Sequence, residues 1–127
     1  MAARTPLITR IRISAAHASE EFGMSCQRLI PWQSQEAADE PPIGAMACFL
    51  PAGTDSEPDC HDQDEVMVIL SGSGTLRLAG EVTDFTVGDL LALPRNDEHV
   101  VSNPTGEPLS WISLYWPLHE PKGGPAA

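Results

Sequence analysis

Lysine is nearly missing from this sequence. Lys122 is the only one, and lysine plus arginine number 7 against 18 aspartates and glutamates, for a formal net charge of −11. Such a surface repels phosphate backbones and anionic lipid headgroups. It argues against nucleic acid and membrane partners and favours cations. Long apolar runs are missing too: none approaches the roughly 20 residues that cross a bilayer as a helix. Cys26, Cys48 and Cys60 are odd in number and show no Cys-x-x-Cys spacing. That pattern suits free thiols in a reducing compartment, not a disulfide framework or a zinc knuckle. The opening stretch, MAARTPLITRIRIS, carries Arg4, Arg10 and Arg12 and no acid, but it lacks the apolar core of a secretory signal. Its composition would fit a transit peptide; the alternation through 7–13 reads better as a first strand. The expected compartment is therefore the cytoplasm. There is no P-loop, no Rossmann fingerprint and no Gly-x-Ser-x-Gly elbow, so nucleotide and serine-hydrolase chemistry are unsupported.

What is present is a chain of 127 residues, 42% hydrophobic, enough for one domain with a real core. Twelve prolines and ten glycines spread along it break it into short pieces. Strands are expected near 7–13, 26–30, 44–50, 57–61, 65–71, 74–79, 83–86, 89–93, 98–103 and 109–115. Turn signals such as SGSG, LAGE, LPRND and NPTGEP separate them. Many short strands at nearly even spacing predict an all-β fold, a small antiparallel barrel or sandwich. Helix has little room. Ser14 caps a short candidate through Ala15–Phe22, and Ser34–Ala38 can make a turn or two. The stretch 33–42 reads as an exposed loop and 120–127 as a frayed tail.

Chemistry concentrates in PDCHDQDE, Pro58 to Glu65, which runs straight into the apolar VMVIL. If 59–69 is mostly extended, side chains alternate with period two. Asp59, His61, Glu65, Met67 and Ile69 then share one face. Cys60, Asp62, Asp64, Val66 and Val68 share the other. Buried acids beside a histidine need a compensating charge, and a divalent metal supplies it. Imidazole nitrogen with carboxylate oxygen suits iron, manganese, zinc, nickel or copper. A further ligand must come from elsewhere in the chain. His99, at the start of a short strand after a turn, is the best candidate.

These residues resemble a known family. Gly53, five residues, Asp59, one, His61, three, Glu65, six, Gly72 is similar to the first motif of the cupins; Gly88, five, Pro94, one, Asn96, two, His99, three, Asn103 is similar to the second. Fifteen residues separate the two, and the resemblance spans about 44–116. It implies a jelly-roll barrel over a single domain, 1–127, holding one divalent transition metal. Two positions depart from the pattern. Asp59 replaces the usual first histidine, and can be a fourth ligand, a partner that orients His61, or a plain loop acid. Asn96 replaces glycine in a tight turn, which asparagine tolerates.

Each residue also has a plainer reading. His61 and Glu65 can sit on an exposed acidic hairpin, and His99 can be a core histidine bonded to a carbonyl. Cys60 reads as a thiol on the wrong face for ligation, and Asp55, Glu57, Asp62 and Asp64 as a solvated rim. Met46, Met67, Ile69 and Val101 are expected pocket walls. Trp111 and Tyr115 point one way and Trp116 the other, as core or interface. His17 and His119 are expected at the surface, and Asn103 is expected to fix a loop. By resemblance to single-domain cupins, the expected function is a metal-dependent enzyme on a small polar molecule in a biosynthetic or natural-product pathway. His61, Glu65 and His99 hold the ion, and Asp59 is a fourth ligand or a general base. Fe(II) and dioxygen chemistry come first. Zn or Mn in non-redox work (isomerase, cyclase, lyase or rearrangement) follows, then a non-catalytic metal- or metabolite-binding module. A homodimer is expected, with 7–13 as the strand added or exchanged.

Overall fold

A computed structural model describes residues 7–32 and 42–118. Among the described residues ten strands run in chain order: β1 Ser19–Glu21, β2 Met24–Ile30, β3 Gly44–Leu50, β4 Thr54–Asp55, β5 Asp64–Ser71, β6 Ser73–Leu78, β7 Glu81–Thr86, β8 Leu90–Leu93, β9 His99–Asn103 and β10 Leu109–Trp116. They form a six-stranded sheet in the order β1-β2-β3-β10-β5-β8 and a four-stranded sheet in the order β4-β9-β6-β7. All pairings between these strands are antiparallel. The fold is the expected all-β jelly roll.

Alternation explains which faces meet. On β5, Glu65, Met67 and Ile69 are buried while Val66 and Val68 are only half-buried. On β10, Leu109, Trp111 and Ser113 are buried in the same rhythm. With β2, β3 and residues of the facing sheet they build a core of Trp111, Leu50, Met67, Ile69, Leu76, Phe85 and Val101 among others. Each large apolar side chain withdrawn from water this way contributes about 1.5–3 kcal/mol before entropy is counted. Cys26 and Cys48 lie opposite one another on β2 and β3, with sulfurs 4.0 Å apart inside this core. The sharp reversal from β5 to β6 needs Gly72: its φ is +79°, and a Cβ there would stand 2.5 Å from the Pro108 carbonyl oxygen.

Some expectations fail. The stretch 7–13 is not a strand, and its link to β2 runs through a side chain. Gln27 Nε2 donates to the Arg12 carbonyl at 2.8 Å, and its Oε1 accepts from Ser14 N–H at 2.9 Å. The edge of β2 is taken by β1 instead, so apolar alternation finds no partner backbone. The helix over Ala15–Phe22 shrinks to one 3₁₀ turn, Ala15–His17, capped by Ser14 Oγ. The strand over 57–61 is a single bridge, Asp59 opposite His99. β4 was not anticipated. The turn at 34–38, His119 and the tail at 120–127 lie outside the described residues, as does all of the 33–42 loop except Pro42.

Candidate metal centre

Three separate pieces of chain converge at one end of the barrel. Glu65 comes from the start of β5 and His99 from the start of β9. Asp59 and His61 come from the connection between β4 and β5. That connection is not a strand, so something else must hold it. Ser56 N–H donates to the Val101 carbonyl at 2.8 Å and Ser56 Oγ accepts from Val101 N–H at 2.9 Å. Asp59 and His99 exchange both backbone bonds, at 3.1 and 2.9 Å, and Asn96 N–H donates to the His61 carbonyl at 2.8 Å. Asn96 has φ +69°, the left-handed turn expected of it. The Asp64 carboxylate takes a forked bond from Arg95, at 3.2 and 3.0 Å. The loop carrying two candidate ligands is thus stitched to the strand carrying the third.

The four side chains face one another. His61 Nε2 lies 3.1 Å from Glu65 Oε1 and 3.8 Å from Asp59 Oδ2. His99 Nε2 lies 3.8 Å from Glu65 Oε1 and 3.9 Å from Asp59 Oδ2. Asp59, His61 and His99 each offer a ligand atom within 4.8 Å of the others. Two ligands that share an ion at about 2.1 Å stand at most about 4.2 Å apart, so all four carboxylate–imidazole separations fit a common ion. The surroundings fit one too. The Gln63 carbonyl oxygen lies 3.2 Å from His61 Nδ1. With Nδ1–H donated there, the proton that Nε2 shares with Glu65 is the one a bound ion would replace, leaving the Nε2 lone pair aimed inward as a metal-binding histidine needs.

Glu65 is positioned from behind. Trp111 Nε1–H donates to Ser113 Oγ at 3.0 Å, and Ser113 Oγ–H donates to Glu65 Oε2 at 2.8 Å. All three residues are buried. Burial pushes the Glu65 carboxyl up, but the His61 hydrogen bond, the neighbouring His99 and the Ser113 hydroxyl together hold it below its ordinary value. The hydrogen bond to Glu65 raises the His61 imidazole above its ordinary value, although burial opposes this.

Other sequence expectations divide. Met46 and Met67 line the cavity beside the site; Ile69 and Val101 belong to the core and do not. Phe22, Met24, Glu57, Trp111 and Ser113 line it as well. Glu57 is therefore part of the cavity as well as the acidic rim. Asp64 is the Arg95 partner and not simply a solvated acid. Trp111 is buried as core and also orients Ser113, while Trp116 is 37% exposed. Asn103 does fix its loop: its amide donates to the Leu50 and Glu107 carbonyls, and its oxygen accepts from Thr105. Cys60 is half-buried with a free thiol, and His17 is exposed. Ser113 is the functional neighbour that sequence reasoning missed, because a lone serine carries no signal until the pairing of β10 with β5 is known.

The sequence profile of the family described as Cupin domain matches residues 46–115. The chain is a cupin. Solved structures agree on the fold. A Cupin 2 conserved barrel domain protein from Salinispora arenicola is 25% identical, with a TM-score of 0.76 over 87% of this chain and 90% of that one. A protein from Photorhabdus luminescens is 24% identical, with a TM-score of 0.74 over 88% of each chain. A predicted oxalate decarboxylase from Thermotoga maritima is 17% identical, with a TM-score of 0.67 over 85% of this chain and all of that one. Among the described residues of this cupin, no helix is long and apolar enough to cross a membrane.

Proposed function

We propose that this cupin is a metal-dependent enzyme acting on a small polar molecule, as in a biosynthetic pathway. His61, Glu65, His99 and Asp59 hold one divalent transition metal. The observation that carries the reading is the convergence of two imidazole Nε2 atoms on two carboxylates, at 3.1–3.9 Å. Fe(II) with dioxygen is the first choice; Zn or Mn in isomerisation, cyclisation or elimination is the second. When bound, such an ion supplies Lewis acidity, a bound water of lowered pKa, or redox chemistry. The chain's own residues do the rest. Ser113, itself held by Trp111, aims Glu65; His61 and His99 help Ser113 to keep it ionised, and the Gln63 carbonyl fixes the ring of His61. The Asp59 carboxylate is held more loosely, 3.8 and 3.9 Å from the imidazoles and 23% exposed. It is the candidate general base if it does not bind the ion itself.

A non-catalytic binding module is the second reading, and the cavity favours it. Its volume is about 20 Å³, room for about one or two waters beside the ligands. Elemental analysis of protein purified without a histidine tag separates the readings, with His61→Ala alongside. Near-stoichiometric iron that vanishes in the variant supports oxygen chemistry, and stable zinc or manganese supports non-redox work. No ion in the native protein overturns every metal reading. The reading includes a homodimer: Leu7 and Ile8, 91% and 84% exposed, offer apolar surface to a second copy.

A further inference from the structure

The turn between β1 and β2 is made of Phe22 and Gly23, and Glu21 opposite Met24 is the last pair before it. Both turn residues have positive φ, +56° and +73°. A two-residue hairpin of this kind favours Asn-Gly, because asparagine and glycine enter the left-handed region at little cost. A bulky aromatic residue there is an outlier, and outliers persist only where their surroundings over-determine them. The surroundings of Phe22 do so. Its carbonyl accepts from Glu57 N–H at 2.9 Å, two residues before Asp59. Beside it, Glu21 pairs with Arg28, whose guanidinium also donates to Tyr115 Oη at 3.0 Å. Tyr115 is the cross-strand partner of Glu65. Gly23 presses on the same loop: a Cβ there would meet Glu57 Cγ at 2.9 Å. The turn is therefore held against both the Asp59 loop and the strand beside Glu65.

Phe22 itself packs against the core and lines the cavity that holds Asp59, Glu65 and His99. We propose that Phe22 is the cover of this cavity, and that it sets the size of molecule that reaches the candidate ligands. With it in place the space admits molecules the size of water or dioxygen. A larger polar substrate meets the site only at its mouth or after the hairpin swings aside. An asparagine would suit the turn better and would leave the cavity open; the chain accepts a poor turn residue at the one position where its side chain closes the site. The cover has catalytic meaning only if the metal reading above holds, but its existence can be tested without an ion.

The experiment is carbethoxylation of the chelator-treated protein with diethyl pyrocarbonate, followed histidine by histidine by peptide mass spectrometry. His99 is buried in the cavity and His17 is exposed, so His17 is the internal control. In Phe22→Asn, His99 should react at least about tenfold faster than in the native protein, as a site opened from a buried state does. The His17 rate should not change. Phe22→Leu keeps an apolar but smaller cover, should give an intermediate rate, and carries the test if the asparagine variant does not fold. An unchanged His99 rate in the folded variants overturns the proposal. Native protein that takes up no metal while His99 is still unmasked in Phe22→Asn sinks the metal reading and leaves the cover standing.

Discussion

The stretches 7–13 and 65–71 both read as strands in the sequence and end differently as structure. LITRIRI alternates apolar and polar residues; EVMVILS follows a charge cluster and is apolar almost throughout. The second becomes β5, paired on both sides by β10 and β8, with Glu65, Met67 and Ile69 buried. The first becomes no strand, with Leu7 and Ile8 almost fully exposed. Alternation says which face a strand would bury. It does not say whether a neighbouring edge is available, and on β2 that edge is occupied by β1. A backbone without a partner gains nothing from being extended.

The largest losses are expected where β10 packs beside β5. Trp111→Ala removes the largest fully buried side chain and the donor to Ser113. It should cost about 3–5 kcal/mol in urea unfolding, if it folds at all. Ser113→Ala leaves Glu65 Oε2 without its hydroxyl partner and should cost about 1–3 kcal/mol by the same measurement. Replacing Leu7 and Ile8 together by serine should change monomer stability by less than about 0.5 kcal/mol. Light scattering on that variant should show a shift from dimer to monomer if 7–13 joins two copies; a native protein that is already monomeric would remove that role from the segment.

Acid and base act in opposite senses on the two partners of the His61–Glu65 pair. In the metal-free protein, Glu65 has its pKa lowered on folding, so its stabilising contribution is present above its ordinary 4.5 and is lost as pH falls through the lower folded value. His61 has its pKa raised, so its contribution is present below its ordinary 6.5 and is lost as pH rises through the higher folded value. Their joint contribution should be greatest between those two ordinary values. Urea midpoints measured across pH should show that maximum in the native protein and a flatter profile in Glu65→Gln. An equal profile in both would mean that the pair contributes nothing.

Much of this was legible beforehand because the informative residues are fixed by spacing along the chain. The glycines at 53, 72 and 88 and Asn96 all adopt positive φ, as their turn roles require, and His61, Glu65 and His99 converge as the motif spacing suggests. What was hidden depends on which strand lies beside which. Ser113 matters because β10 pairs with β5, placing it opposite Met67 and next to Glu65. Glu57 and Phe22 matter because a hairpin folds over a loop far from it in sequence. Asp59 was ambiguous in the sequence and stays the most loosely held of the four candidate ligands, since its carboxylate faces both imidazoles without a short bond to either.

We propose that one cation binds between these four side chains, and thermal unfolding with and without added Fe(II), Mn(II) or Zn(II) is the decisive measurement. At about one hundred times its dissociation constant a metal that binds only the folded chain stabilises by about 2.7 kcal/mol. For a protein of this size that raises Tm by about 10 °C. The account predicts such a rise in the native protein, abolished in His61→Ala with His99→Ala. A native Tm that does not move with any of the three metals, or a rise that survives loss of both imidazoles, would contradict it.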